Sequence, residues 1–169
     1  MAVTTDPVLL DNCAISACFA AGAWTALAAR YTLETVEEVE REATTGYQYR
    51  TIIPPAQFRQ QVKVHLVSAT ERFDAQAAYA ALSTIDDGER DLWVHTLSRE
   101  GGWILCGPDI ASIKFGVLNG FQDRLISLEE LLENIGHRPK VKLQEHQTRK
   151  WLQALIGKIQ MDVQFSRKR

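Results

Sequence analysis

Short apolar runs alternate with alanine-rich or amphipathic segments along most of the chain. Runs of strand length occupy positions 8–10, 31–33, 62–67, 103–106 and 124–126. The segments between them predict helices over about 12–30, 35–43, 70–82, 89–100, 109–118 and 127–135. Strands that alternate with helices in this way predict an α/β fold, with a mainly parallel central sheet covered by helices on both faces.

Helix-capping residues, together with glycine and proline, refine these boundaries. Thr35 is the predicted N-cap of the second helical segment, because Glu38 follows it at capping-box spacing. Ser127 is placed to cap the last helix of the body. The segment 44–55 is aromatic and rich in glycine and proline, so it is predicted to be an irregular surface loop.

The chain divides into two parts near Gly136. Residues 1–136 are predicted to form one domain, and residues 137–169 a basic C-terminal extension. The extension carries a predicted amphipathic helix over 144–160, whose apolar face consists of Trp151, Leu152, Leu155, Ile156 and Ile159.

Composition places the protein among globular cytoplasmic chains. The 169 residues are 46% hydrophobic and 24% charged, which is typical of a folded soluble domain. The apolar stretch 14–29 is alanine-rich and interrupted by polar residues, so it predicts a buried helix and no membrane span. The first residues lack the basic region of a secretory signal. Three cysteines in apolar settings indicate buried thiols in a reducing compartment.

Charge is distributed unevenly between the two parts. Residues 1–136 contain 19 acidic and 10 basic residues, a net charge of −9, whereas residues 137–169 contain 9 basic and 2 acidic residues, a net of +7. A basic extension on an acidic body indicates contact with a polyanion or an acidic partner. Folding of the extension back onto the acidic body explains the same pattern equally well.

Four acidic positions are predicted to share one edge of the sheet. Asp11 follows the first strand directly, and Asp109 follows the strand 103–106. Glu38 and Glu89 lie in the first turns of helices that start at the same edge, where parallel sheets bind ligands. Clustered carboxylates require a cation, and hard oxygen ligands suit Mg²⁺ or Mn²⁺. Each acid alone also has a structural explanation, as a helix cap or as part of a solvated charged face.

Other sites are not supported. The chain has neither a dinucleotide-binding GxGxxG motif nor a P-loop. The four histidines show no zinc-binding spacing, with His65 in a predicted strand and His95 in a predicted helix. No serine lies in a nucleophile elbow.

The order of the segments VLLDN, TVEEV, GERDLW and LCGPDIAS resembles the PIN domain, the metal-dependent ribonuclease fold of many VapC-type toxins. The resemblance covers about residues 6–135 and implies a PIN-like three-layer sandwich followed by the amphipathic helix. The sequence departs from the family at Cys106-Gly107-Pro108, where a Thr or Ser often precedes the last acid, and in its long tail.

The resemblance implies a Mg²⁺- or Mn²⁺-dependent endoribonuclease, the toxin of a toxin–antitoxin pair, which forms homodimers. It carries the catalytic and metal-binding positions to Asp11, Glu38, Glu89 and Asp109. Asp91 competes with Glu89 for the third position, and Glu42 is a weaker alternative for the second. The predicted RNA contacts are Arg90, Lys114, Arg138, Lys140 and Lys142.

Two other functions stay open at this stage. A PIN-like fold with little nuclease activity is compatible with the sequence, and the face of the C-terminal helix around Trp151 would then dock a partner or a second copy. A related nuclease that acts on DNA is the third hypothesis.

Overall fold

A four-stranded, all-parallel sheet with the order β3-β2-β1-β4 forms the centre of the protein. A computed structural model describes residues 4–46 and 52–167. The strands are β1 (Val8–Leu10), β2 (Leu33–Val36), β3 (Val62–His65) and β4 (Ile104–Cys106). The parallel sheet and its flanking helices confirm the predicted α/β class and are consistent with a three-layer sandwich.

Helices fill the connections between the strands and continue after β4. In the described part of the chain these are α1 (Asn12–Ala20), α2 (Trp24–Arg30), α3 (Glu37–Thr45), α4 (Pro55–Gln61), α5 (Ala69–Ala78), α6 (Asp87–Ser98), α7 (Ile110–Leu118), α8 (Leu128–Asn134) and α9 (Arg149–Ser166). Short 3₁₀ turns lie at Ala80–Thr84, Gln122–Arg124 and Glu145–Gln147.

The central strand β1 fixes the frame of the sheet. All three of its residues are fully buried, as expected for a strand covered on both faces. Leu10 pairs with Cys106 of β4, and Val8 pairs with Leu33 of β2. Because the strands are parallel, the residues that follow β1 and β4 emerge side by side at one edge.

The second strand begins two residues later than predicted and includes Thr35. The Thr35 hydroxyl donates a hydrogen bond of 2.8 Å to the carbonyl of Leu10. The side chain therefore links β2 to β1 and does not cap α3. The prediction of Thr35 as a helix N-cap is therefore wrong. The N-cap of α3 is Val36, which makes no side-chain capping bond. A β-branched residue suits an extended backbone, and Thr35 pairs with Val64 of β3 within the sheet.

Two predicted connections differ from the structure. Residues 47–51 of the predicted loop lie outside the described residues, but the same segment ends at Pro55, where the unpredicted helix α4 begins. Proline is favoured in the first turn of a helix because its missing N–H would have no partner there. The predicted strand 124–126 is reduced to a single parallel bridge between Leu105 and Leu125.

The apolar stretch near the N-terminus is folded as two buried helices. α1 buries Ala14, Ile15 and Cys18, and α2 buries Trp24 and Leu27. Within the described ranges, no single helix is both long and apolar enough to cross a membrane. α1 and α2 reach that composition only as a pair, and they are bent by 118° relative to each other.

The C-terminal helix starts later than predicted and packs on the body. Leu152, Ile156 and Ile159 of α9 are buried against Ile113 and Val117 of α7. The apolar face that the docking hypothesis requires is thus covered largely by the chain itself.

Ion pairs between α9 and α8 add to this packing at the start of α9. Arg149 pairs with Glu130 at 3.1 Å and with Glu133 at 2.9 Å, and its backbone N–H donates to Glu129. The basic extension therefore folds back onto the acidic body at this point.

We expect Ile156→Ala to lower the free energy of unfolding by about 2 kcal/mol or more, because it leaves a cavity between α9 and α7. Met161→Ala on the same helix is the matched control, since Met161 is 56% exposed and Ile156 only 8%. Urea unfolding measures both. Equal, small effects of the two substitutions would show that α9 does not pack on α7.

Candidate metal centre

Asp11 is held rigidly at the edge of the sheet. Its backbone N–H donates to the carbonyl of Cys106 at 3.2 Å, which continues the pairing of β1 with β4. Its Oδ1 accepts the N–H of Ala14 at 2.6 Å and caps α1. The residue is 1% exposed. The capping explanation and the functional one are compatible, because capping employs one oxygen and fixes the direction of the other.

Gly107 leaves room for the Asp11 carboxylate. A Cβ atom at position 107 would lie 2.5 Å from Oδ2 of Asp11 and 2.7 Å from its Cγ. Real side chains do not approach so closely, so any other residue here would displace the carboxylate. The departure from the PIN pattern at Cys106-Gly107-Pro108 thus has a physical consequence: it makes space beside Asp11.

Asp109 occupies the matching position after β4. Its Oδ1 accepts the N–H of Ser112 at 2.7 Å and caps α7. The Ser112 hydroxyl in turn accepts the indole N–H of Trp93 at 2.8 Å, and Trp93 is fully buried. Asp109 is therefore anchored to the core through the first turn of α7.

Glu38 and Glu42 lie one turn apart on α3 but differ in their surroundings. Glu38 forms an ion pair with Arg41, with a contact of 3.2 Å from Arg41 Nε, and this hydrogen bond lowers the pKa of Glu38 below its usual value. Glu42 is buried and faces α6, where its Oε1 lies 3.1 Å from the position of a Cβ built on Gly88. Of the two, Glu42 is the one placed next to Glu89.

Glu89 lies near several other acidic side chains. Burial, and then the negative charges of Asp11, Asp109 and Glu42, raise the pKa of Glu89 to about 8. Charges act on a pKa in this way from nearby, so these three acids are neighbours of Glu89. Of the predicted residues, Asp11, Glu89 and Asp109 therefore lie in one region, and Glu42 is the acid of α3 that acts on Glu89 there.

Asp91 forms an ion pair with Arg72. It is 1% exposed and accepts two hydrogen bonds from Arg72 of α5, at 2.8 and 2.6 Å. A carboxylate held by a bidentate arginine is already neutralised and oriented. These contacts favour Glu89 over Asp91 as the third acidic member of the site.

The predicted RNA-binding residues have different surroundings. Arg90 pairs with Asp87 at 3.0 Å, and Lys114 is exposed on α7, beyond Asp109. Arg138, Lys140 and Lys142 are all exposed on the extension.

The extension approaches the body again at Lys140, which fixes where these three residues lie. The backbone N–H of Lys140 donates to the carbonyl of Ala21 at 3.1 Å. The basic stretch therefore runs beside the end of α1, the helix that Asp11 begins.

The donor set suits a hard divalent cation. Asp11, Glu42, Glu89 and Asp109 offer carboxylate oxygens, the ligands that Mg²⁺ and Mn²⁺ prefer. Mg²⁺ usually keeps several water ligands, so it needs direct bonds to only some of them. Burial is the largest cause of the raised pKa of Glu89, and repulsion from the other acids, which such a cation would relieve, adds to it.

Comparison with known proteins adds no assignment. No protein-family model matches the chain, and the curated proteins contain no match to it. The site is therefore interpreted from its own geometry.

We expect Gly107→Ala to destabilise the fold by about 1–3 kcal/mol, because the new methyl group overlaps the Asp11 carboxylate. Gly157→Ala is the matched control: nothing lies within 4 Å of its Cβ position, and replacing glycine inside a helix stabilises by about 0.5–1 kcal/mol. Chemical denaturation compares the two. If Gly107→Ala left the free energy of unfolding unchanged, the Asp11 carboxylate would not need this space.

We expect Glu89→Gln to stabilise the metal-free protein at about pH 8, by an amount on the order of 3 kcal/mol. The folded-state pKa of Glu89, about 8, lies above its unfolded value near 4.5. Between these values the folded protein binds the extra proton, so wild-type stability falls as the pH rises through this window. Glutamine does not ionise, so the variant lacks this pH dependence of stability. The extra stability of Glu89→Gln over the wild type should therefore vanish near pH 4.5 or below.

Urea unfolding at about pH 5 and about pH 8 in the presence of a chelator measures this effect. Glu100→Gln, at an exposed position just after α6, is the control and should change little. An equal effect of Glu89→Gln at both pH values would contradict the raised pKa.

Proposed function

We propose that this protein is a Mg²⁺- or Mn²⁺-dependent endoribonuclease of PIN type. One observation carries the proposal: Asp11, Glu42 and Asp109 act together on the pKa of Glu89 at the carboxyl edge of an all-parallel sheet. A ring of carboxylates at this edge is the arrangement expected of a divalent-metal phosphodiesterase. The resemblance of the sequence to PIN domains supports the same reaction.

The four acids differ in how firmly their side chains are held. Asp11 and Asp109 begin helices and are oriented by capping hydrogen bonds, so their outer oxygens keep fixed directions. Glu42 and Glu89 come from the facing helices α3 and α6 and close the site from the other side. A divalent ion held by these residues would neutralise charge on the phosphate and activate a water for in-line attack. Glu89 would be the candidate to accept a proton in that reaction.

A cleft at the start of α3 is a candidate surface for the RNA backbone. The cleft has a volume of about 440 Å³, and its lining includes three arginines and three glutamates: Arg41, Arg59, Arg72, Glu37, Glu38 and Glu40. Each arginine is paired within the protein: Arg41 with Glu38, Arg59 with Glu40 at 2.7 Å, and Arg72 with Asp91.

Exposed ion pairs of this kind contribute little to stability. A phosphodiester can therefore compete for Arg41 and Arg59, whose side chains are 57% and 62% exposed. The basic residues Arg90, Lys114, Arg138, Lys140 and Lys142 extend the proposed RNA surface.

The biological setting follows from the PIN resemblance alone. On that basis the enzyme is the toxin of a toxin–antitoxin pair in the cytoplasm, bound by a protein antitoxin and acting as a homodimer. These partners belong to the proposal and require the nuclease activity to be demonstrated first.

The sharpest test compares two glutamates on one helix. We expect Glu42→Gln to lower Mn²⁺ affinity by about 10-fold or more, and RNA cleavage with it, because Glu42 faces the other acids. Glu38→Gln should leave both within about threefold, because Glu38 pairs with Arg41 outside the ring. Calorimetry with Mn²⁺ and a cleavage assay on single-stranded RNA measure the two effects.

Asp11→Asn is the positive control for loss of activity. Asparagine keeps an oxygen that caps α1, so the variant should fold, as circular dichroism can verify. Metal-dependent cleavage that survives Asp11→Asn would overturn the proposed function. A parallel assay on single-stranded DNA distinguishes a ribonuclease from the DNA-cleaving alternative.

A further inference from the structure

A second group of metal-ligating side chains lies on the inner side of α6. Glu34 of β2, His65 of β3 and His95 of α6 each offer one donor atom, and these atoms all lie within 4.8 Å of one another. His95 follows Glu89 by six residues, which corresponds to about 9 Å along the helix axis. The group is therefore distinct from the carboxylate ring, although the same helix supports both.

Glu34 is a buried carboxylate at the centre of this group. It is 4% exposed and accepts hydrogen bonds from His65 Nε2 at 2.7 Å and from Arg99 at 2.8 Å. Burial opposes the charged form, but the hydrogen bonds of Arg99 and His65 lower the pKa of Glu34 below its usual value overall. Glu34 is thus an ionised ligand with one histidine already beside it.

His95 completes the group in the form that binds metals. Its ring stacks on that of His65 with 4.0 Å between the centroids. Burial and the nearby charges of His65 and Arg99 lower the pKa of His95 to about 4, so its imidazole is neutral near pH 7. Its Nε2 is buried and makes no hydrogen bond within the described part of the chain. A buried imidazole nitrogen without a hydrogen bond requires a physical explanation, and a bound ion is one.

We propose that Glu34, His65 and His95 form a binding site for a borderline-soft divalent metal ion such as Zn²⁺. Two imidazoles and one carboxylate are a frequent zinc donor set, with bonds of about 2.0–2.2 Å and a fourth position filled from outside. The donor atoms lie within 4.8 Å of one another, so shifts of the order of 1 Å, together with rotation of the stacked imidazole rings away from parallel, bring them to a common ion. Binding through His65 Nε2 removes the proton that this nitrogen shares with Glu34; a neutral ring takes up a proton at Nδ1 instead, and a cationic ring releases one proton to solvent.

Arg99 has a defined place in this site. It already donates to Glu34, and a carboxylate that binds a metal through one oxygen commonly accepts such a bond at the other. Rotation of the Glu34 carboxylate about its last bond, which is a soft torsion, exchanges the two oxygens. Arg99 then orients the ligand and balances the charge of its second oxygen.

The site joins β2, β3 and α6 at a single point. An ion that binds only the folded chain stabilises it by mass action. Zn²⁺ would therefore tie the edge strand β3 to the helix that carries Glu89. The inference does not depend on nuclease activity, because none of the three ligands belongs to the carboxylate ring.

Zn²⁺ binding is measured by competition with a chromophoric chelator, on the full chain with millimolar Mg²⁺ present to occupy the carboxylate ring. We expect one Zn²⁺ per chain and a rise in the unfolding temperature. His95→Ala and His65→Asn should each lower the Zn²⁺ affinity by about 10-fold or more. Metal-free thermal unfolding verifies that both variants are folded, and the second variant serves if the first does not fold.

Two controls separate this site from the other possible ligands. His146 lies 3.8 Å from Cys13 Sγ, so His146→Ala tests zinc held by that pair. Asp11→Asn should abolish Mn²⁺ binding and leave Zn²⁺ binding unchanged, whereas His95→Ala should do the reverse. Absorption of the Co²⁺-loaded protein should lack a thiolate charge-transfer band. Zn²⁺ binding that survives His95→Ala and His65→Asn, or that is lost with His146→Ala, would overturn the assignment, as would no binding at all.

Discussion

The burial of neighbouring carboxylates at the carboxyl edge of the sheet is the constraint around which the site is built. Burial, and then the negative charges of Asp11, Asp109 and Glu42, raise the pKa of Glu89 to about 8 from its usual value of 4.5. Such a group persists in a folded protein only when strong local interactions hold its members. Asp11 and Asp109 are held by the capping hydrogen bonds that they accept at the starts of α1 and α7. Gly107, which has no side chain, leaves space for the Asp11 carboxylate. The frame that supports them is the pairing of β1 with β4.

The protein neutralises its other buried acids with its own cations. Arg72 holds Asp91 with two hydrogen bonds, and Arg99 holds Glu34 together with His65. The contrast with Glu89 is informative, because the same helix α6 carries both Asp91 and Glu89 within one turn. An acid that is paired with an internal cation has a structural role, whereas an acid whose pKa is raised by burial and by other acids is a candidate member of a functional site. The environment therefore separates two residues that the sequence places side by side.

Much of the fold follows from local patterns in the chain. The buried strand Val8–Leu10, the helix that starts at Asp109 and the capping of the last helix of the body by Ser127 are all set by neighbouring residues, and all three are found as predicted. Thr35 was placed wrongly because its partner is the carbonyl of Leu10, which is distant in sequence. Helix α4 was missed because Pro54 and Pro55 suggested a loop, and its packing through the buried Phe58 is a tertiary contact.

The sequence by itself determined the alternation of strands and helices and the edge at which Asp11 and Asp109 emerge, because both follow from periodicity and from the geometry of parallel strands. It did not distinguish Glu38 from Glu42, since both lie on one side of the same helix and only the approach of α6 selects between them. It also gave no sign that His65 and His95 stack against each other, because they belong to a strand and a helix separated by 30 positions. Tertiary structure decided these points, because the charge around a side chain depends on neighbours that the chain brings together only when it folds.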